Sequence, residues 1–86
     1  MDNKLREAGE KLREISNGLY IITILIDLGE VVISSKGKLR WLYKVKHLGE
    51  DRYRFVFYKN KYPIDFELSE ESLLTEILKR ILWKIN

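Results

Sequence analysis

Basic and aromatic side chains are concentrated in the middle of this 86-residue chain. Residues 34–62 contain nine of the sixteen Lys and Arg residues and two of the thirteen acidic residues, so this stretch carries a net charge of +7 and the rest of the chain −4. Seven of the ten aromatic residues lie in the same stretch. Lys and Arg neutralise phosphate groups, and aromatic rings stack on bases. These residue types therefore indicate a binding face for an anionic polymer.

Two segments of this stretch alternate between apolar and basic residues, which is the pattern of strands with one buried face. The odd-numbered residues of segments 38–46 and 52–59 are predicted to face the core, and they include Trp41, Tyr43, Tyr53, Phe55 and Phe57. The even-numbered residues are predicted to form an exposed basic face, with Leu42 and Val56 as an apolar floor. The candidate nucleic-acid-binding residues on this face and in the flanking turns are Lys36, Lys38, Arg40, Lys44, Lys46, Arg52, Arg54, Tyr58, Lys59 and Lys61.

Three interpretations of the basic face remain open. It binds nucleic acid, it is a solvated outer sheet surface whose long side chains shield apolar neighbours, or it binds an acidic protein partner as a small viral or regulatory inhibitor would. The two strands contain no Asp or Glu among their Lys and Arg residues, which favours a binding role. Among the even-numbered residues that are predicted to face outward, Tyr58 is the main aromatic residue. We therefore expect phosphate contacts, a single-stranded DNA or RNA ligand and low sequence specificity.

The loop between the two basic strands determines which cations lie opposite one another. If the odd-numbered residues of both strands face the core, odd-numbered residues must lie opposite each other. The connecting loop must then contain an odd number of residues, either 48–50 or 49–51. The first choice sets Lys46 opposite Arg52 and Lys44 opposite Arg54, whereas the second sets Lys46 opposite Arg54. Either register brings like charges together across the strands, which costs stability unless an anion relieves the repulsion.

Amphipathic helices are predicted at both ends of the chain. The first, over residues 2–16, has a narrow apolar stripe formed by Leu5, Ala8, Leu12 and Ile15. The second begins after Ser69, a good N-cap, and runs to about Ile85 with a wider apolar face and Trp83 on its polar side. With strands at residues 30–35 and 64–68, these elements predict an α+β fold, a single antiparallel sheet of four to five strands flanked by an N-terminal and a C-terminal helix.

Residues 19–27 read Leu-Tyr-Ile-Ile-Thr-Ile-Leu-Ile-Asp, which is apolar on both faces of a strand. Leu28 and Gly29 supply the turn to the next strand. If both helices cover one side of the sheet, the other side of this strand needs a further partner. A homodimer contact is therefore expected here.

Composition narrows the class of function further. A chain of 86 residues with a hydrophobic fraction of 45 % predicts a single domain over residues 1–86. The chain has no Cys, and His47 is predicted to be a loop residue, so neither a disulfide nor a metal site is expected. Asp65 and Glu67 are interpreted as acids that keep an edge strand soluble. No cofactor and no catalytic activity are expected, and the lack of a long apolar run predicts a cytoplasmic protein without a membrane partner.

The order of elements over residues 19–85, antiparallel strands followed by a long amphipathic helix, resembles the strand-then-helix ending of the whirly class of single-strand binders. Residues 64–82, which begin Ile-Asp-Phe-Glu-Leu-Ser-Glu-Glu, form the final strand and helix of this resemblance. It implies a dimer whose sheet binds nucleic acid, although the N-terminal helix and a fifth strand depart from that class. The double-stranded-RNA-binding domain is disfavoured, because Glu70 and Glu71 make the start of the second helix acidic.

Overall fold

The computed structural model describes residues 3–37 and 41–85, with side chains described as far as Arg80. The chain forms helix α1 (Asn3–Ser16), strands β1 (Tyr20–Leu25), β2 (Glu30–Ser35), β3 (Trp41–Gly49), β4 (Arg52–Lys59) and β5 (Tyr62–Ser69), and helix α2 (Glu70–Ile85). The strands build one antiparallel sheet in the order β1-β2-β3-β4-β5. This confirms the predicted α+β fold, with five strands in the sheet.

Both helices lie on one face of the sheet, called the inner face here. Helix α1 packs on β1 and β2, and α2 packs on β4 and β5. Gly9 permits the close approach of α1, because a Cβ atom there would lie 3.1 Å from the side chain of Ile24. The most deeply buried apolar residues between the layers are Leu5, Leu12, Val31, Ile33, Val45, Tyr53, Phe55 and Ile77. The opposite face of the sheet, the outer face, is covered by no element of the described chain.

A β-bulge at the start of β3 reverses the direction of two side chains. Ile33 lies opposite Tyr43 but Ser34 lies opposite Trp41, so Leu42 is an extra residue in β3. Trp41 therefore lies on the outer face, where its ring contacts an aromatic residue of β4, and Leu42 packs against the core. The prediction that Trp41 faces the core is wrong, and so is the assignment of Leu42 to the exposed floor. Strict alternation fails where a strand contains one additional residue.

The turn between β3 and β4 also departs from the predicted loop. Gly49 pairs with Arg52, which leaves a turn of two residues. A turn of even length would by itself direct the aromatic residues of one strand outward. A second bulge, between His47 and Gly49, keeps the aromatic residues of both strands on the inner face. Glycine suits position 49 because its φ is +129°. Both predicted odd loops are therefore wrong, but Lys46 lies opposite Arg54, as the second predicted register required.

Strand β1 is shorter than the sequence pattern predicts. It ends at Leu25, and a 3₁₀ turn, Ile26–Leu28, joins it to β2. The N–H of Gly29 closes this turn by donating to the carbonyl of Ile26 at 3.2 Å, and Gly29 has a φ of +61°. Residues 38–40, the predicted start of β3, lie outside the described part of the chain.

Candidate nucleic-acid interface

The predicted binding residues fall into three groups. Five lie on the outer face of the sheet: Lys44, Lys46, Arg52, Arg54 and Tyr58. Three lie in or beside turns at the end of the sheet where β2 and β4 end: Lys36, Lys59 and Lys61. Lys38 and Arg40 lie outside the described residues, as does the side chain of Trp83. The outer face thus gathers half of the predicted set.

The two arginines of β4 are paired with acids of β5. Arg52 donates to Glu67 at 2.7 Å, and Arg54 donates to Asp65. The hydrogen bond to Glu67, and then its charge, raise the pKa of Arg52, and Asp65 raises the pKa of Arg54 in the same way. Strand β5 therefore supplies the anions that offset the repulsion expected between β3 and β4. The interpretation of these two acids as edge protection alone missed this role.

A third acid lies on the outer face on the other side of the basic strands. Glu30 of β2 is directly opposite Lys46, in the same row as Arg54 and Glu67. Lys44 has the apolar Val32 opposite it in β2. The part of the outer face around Lys46 and the arginines is therefore a mixture of both charges, rather than the uniformly basic surface that the two strands alone predict.

Trp41 and Tyr58 form an aromatic pair on the outer face. Their ring centroids are 4.9 Å apart with an angle of 38° between the planes, and Tyr58 is 48 % exposed. The Nζ atom of Lys44 lies 4.4 Å from the centroid of the Trp41 ring, a cation–π contact. We call Trp41 and Tyr58 the stacking pair. The alternation of residues along the strands predicts that Tyr58 faces outward but does not predict this for Trp41, because the bulge at Leu42 has no clear mark in the sequence.

Charge on this molecule is divided along the strands. At one end, called the basic end, Lys36 follows β2, Lys59 ends β4, and Lys61 lies in the β4–β5 turn. At the opposite end the β3–β4 turn consists of Glu50 and Asp51, and the N–H of Glu70 donates to the carbonyl of Asp51 at 2.9 Å. Helix α2 thus starts at this second end, called the acidic end. The lysines of the basic end form no ion pair with any described residue.

A groove of about 370 Å³ opens at the basic end beside α2. Its lining consists of Tyr43, Phe57, Tyr58, Lys59, Glu76, Lys79 and Arg80. The guanidinium of Arg80 lies 4.1 Å from the centroid of the Phe57 ring and donates to Glu76 at 2.9 Å. Burial raises the pKa of the Tyr43 hydroxyl, with the nearby Tyr20 adding to this effect and Arg80 opposing it. Lys79 and Arg80 are not recognisable as site residues in the sequence, because only the packing of α2 brings them to this end.

His47 is a residue of β3 beside the turn at the acidic end, so the prediction that it lies in a loop is wrong. Its Nε2 lies 2.8 Å from the carbonyl oxygen of Glu50, to which an Nε2–H donates, and its ring lies 5.1 Å from that of Tyr53. Among the described side chains, residues 3–37 and 41–80, no group of three metal-ligating side chains converges on one point. These contacts place His47 among the groups that shape the β3–β4 turn.

Comparison of the chain with known protein families, curated proteins and solved structures found no match. Neither described helix is long and apolar enough to cross a membrane. Functional inference for this protein therefore depends on the chemistry of its own surface.

Proposed function

We propose that this protein binds single-stranded nucleic acid, DNA or RNA, with low sequence specificity at the basic end of its outer face. The observation that carries the proposal is the outward-facing stacking pair, in which Tyr58 is 48 % exposed, with a lysine ammonium beside Trp41. A Trp–Tyr pair on the uncovered face of a sheet is a surface on which unpaired bases can stack, and every base offers a ring face for such stacking. Bases inside a duplex are stacked on one another and are not available to it, so the pair favours single strands.

The cations around the stacking pair are suited to the phosphates that connect stacked bases. Lys44 lies over Trp41, whereas Lys59, the residue after Tyr58 in β4, starts from the inner side of the sheet and lines the groove at the same end. Lys36 and Lys61 extend positive charge to both sides at the same end. Lysines bind phosphates as point charges without reading base edges, which accounts for the low specificity proposed.

The proposed interface is smaller than the one predicted from the sequence. Arg52 and Arg54 stay on the outer face, but their carboxylate partners reduce their availability to phosphate. Stacking gains importance, because Trp41 joins Tyr58 on the exposed side. The interface therefore combines one aromatic platform with lysines at a single end of the sheet, instead of spreading over the whole face.

Fluorescence anisotropy with labelled oligonucleotides tests the proposal. The protein is titrated into a single strand of about 20 nucleotides and into the matching duplex over a salt series, and about four phosphate contacts predict a slope of log affinity against log salt near −3 for the single strand. The single strand is expected to bind more tightly than the duplex. Undetectable binding at low salt, or affinity that does not change with salt, would show that the face has another function, such as contact with an acidic protein.

A further inference from the structure

The two edges of the sheet differ in how they are protected from other strands. Strand β5 carries Pro63, Asp65 and Glu67, and proline and charged side chains are the usual means of preventing edge-to-edge pairing. Strand β1, at the opposite edge, reads Tyr-Ile-Ile-Thr-Ile-Leu. It contains neither proline nor a charged residue. Strand β1 therefore lacks the side chains that protect the other edge.

Apolar side chains are exposed along β1 and at both of its ends. Leu19, Ile21, Ile26 and Leu28 are each between 49 and 62 % exposed. They are four of the seven large hydrophobic side chains that are exposed among the described residues, so exposed apolar surface is concentrated at this edge. Such a concentration indicates a contact surface rather than random exposure.

The hydrogen bonds of β2 establish which backbone groups of β1 point away from the sheet. The N–H of His47 donates to the carbonyl of Gly29 at 2.9 Å, so odd-numbered residues of β2 bond to β3 and even-numbered residues bond to β1. Thr23 lies opposite Val32, so the odd-numbered residues of β1 bond to β2. The backbone groups directed to the open side of the edge are consequently those of Tyr20, Ile22 and Ile24.

We propose that two copies of this chain pair along β1, antiparallel about a two-fold axis at Ile22, and join their sheets into one. In this register Ile22 lies opposite Ile22 of the second copy, and Tyr20 lies opposite Ile24, so the outward backbone groups over residues 20–24 pair across the two copies. On the outer face Ile21 lies opposite Thr23 of the second copy. No charged side chain of β1 opposes another, because β1 contains none.

The charge distribution favours a second copy over an unrelated strand. The first residues of β1 lie at the basic end, opposite Ser35 and next to Lys36, whereas its last residues lead to Asp27 and Glu30 at the acidic end. Antiparallel pairing sets the basic end of one copy beside the acidic end of the other. The two-fold arrangement is therefore complementary in charge as well as in hydrogen bonding.

Arg13 of α1 controls access to the centre of this edge. Its Nη2 donates to the carbonyl of Ile22 at 2.8 Å, and its Nη1 donates to Glu10 at 3.2 Å. The Ile22 carbonyl is the group that accepts the Ile22 N–H of the second copy in the proposed register. Arg13 thus covers the edge in the single chain and moves aside when two chains pair, which lowers the affinity of the dimer.

Cysteine cross-linking tests the register directly, because the chain contains no Cys of its own. Ile21→Cys and Thr23→Cys variants are mixed and oxidised, and the mixed disulfide between them is expected to exceed either homodimeric disulfide, since these two positions form a close non-hydrogen-bonded pair. A mixture of Asp65→Cys and Glu67→Cys variants, on the outer side of β5, is the matched control. A yield no higher than that of the control overturns the proposal.

Sedimentation equilibrium tests the association itself and the function of Arg13. The wild-type chain is expected to dimerise reversibly, and Arg13→Ala is expected to dimerise roughly tenfold more tightly. Ile21→Lys should be monomeric, whereas Tyr62→Lys, at an exposed position of the opposite edge strand, should match the wild type. Monomeric wild-type and Arg13→Ala chains at the highest soluble concentration, or an Ile21→Lys chain that still dimerises, overturn the proposal. None of these measurements involves nucleic acid, so their failure is distinct from failure of the proposed function.

Discussion

The two ends of the outer face contain similar basic residues in different surroundings. Toward the acidic end, Arg52 and Arg54 bind carboxylates of β5, and Lys46 lies opposite Glu30. At the basic end, the lysines have no carboxylate partner among the described residues, and the stacking pair lies on the outer face at the same end. Lys and Arg residues that are similarly frequent along the two basic strands therefore differ in how accessible they are to a phosphate ligand. The neighbouring strands, not the basic strands themselves, determine which cations can bind a ligand.

Removal of Trp41 from the stacking pair is expected to have the largest effect on single-strand binding. Trp41→Ala is expected to weaken single-strand binding by roughly tenfold or more, since stacking contributes about 1–3 kcal/mol per base. Tyr62→Ala is the matched control, because Tyr62 is an aromatic residue at the same end, 74 % exposed and outside the pair. Fluorescence anisotropy measures both affinities, and circular dichroism confirms the fold. Equal losses in the two variants would show that Trp41 is not a stacking site.

Neutralisation of two cations at either end compares the ends at constant net charge. Lys59→Ala with Lys61→Ala is expected to lower affinity several-fold and to reduce the salt slope by about 1.4, which corresponds to two lost phosphate contacts. Arg52→Ala with Arg54→Ala removes the same charge at the other end of β4 but should leave the slope nearly unchanged. Affinity over a salt series measures both effects. A larger change of slope for the arginine pair would reverse the assignment of the interface.

Release of the arginines from their partners should extend the interface toward the acidic end. Asp65→Asn with Glu67→Gln leaves Arg52 and Arg54 without their carboxylates, so single-strand affinity is expected to rise a few-fold with a steeper salt slope. Glu10→Gln with Glu14→Gln on α1 is the control for the added net charge. If both double variants gain equally, the effect comes from the overall field of the protein rather than from the released arginines.

The sequence predicts strands better than it predicts the side chains that they bring together. The bounds of β4, residues 52–59, and the inward direction of Tyr53, Phe55 and Phe57 follow from uninterrupted alternation. Alternation fails at Leu42, where one additional residue turns Trp41 outward.

The chemistry of the face also depends on residues distant in sequence. Arg52 meets Glu67 fifteen residues later, and Arg80 reaches the basic end only through the packing of α2. Local patterns contain no information on such pairs, because pairing register and helix packing decide them.

The smallest expected effect concerns the ion pair that neutralises Arg52. The hydrogen bond from Arg52, and then the positive charge of Arg52, lower the pKa of Glu67 below the ordinary value of 4.5. A carboxyl group with a lowered pKa in the folded state stabilises the fold above its unfolded pKa, and this stabilisation disappears as pH falls through the lowered pKa. Glu67→Gln should therefore reduce the thermal midpoint slightly at neutral pH, since exposed ion pairs contribute little.

This difference from the wild type should vanish in acid, once Glu67 is protonated in the wild-type chain as well. Thermal unfolding followed by circular dichroism from neutral pH down to about pH 3 measures it. Glu14→Gln is the control, because Glu14 is exposed and forms no ion pair with another described residue. A difference that persists undiminished in acid would mean that Glu67 acts through packing rather than charge. Arg52 would then have no charge partner to restrain it, and the two ends of the outer face would be more alike than their geometry indicates.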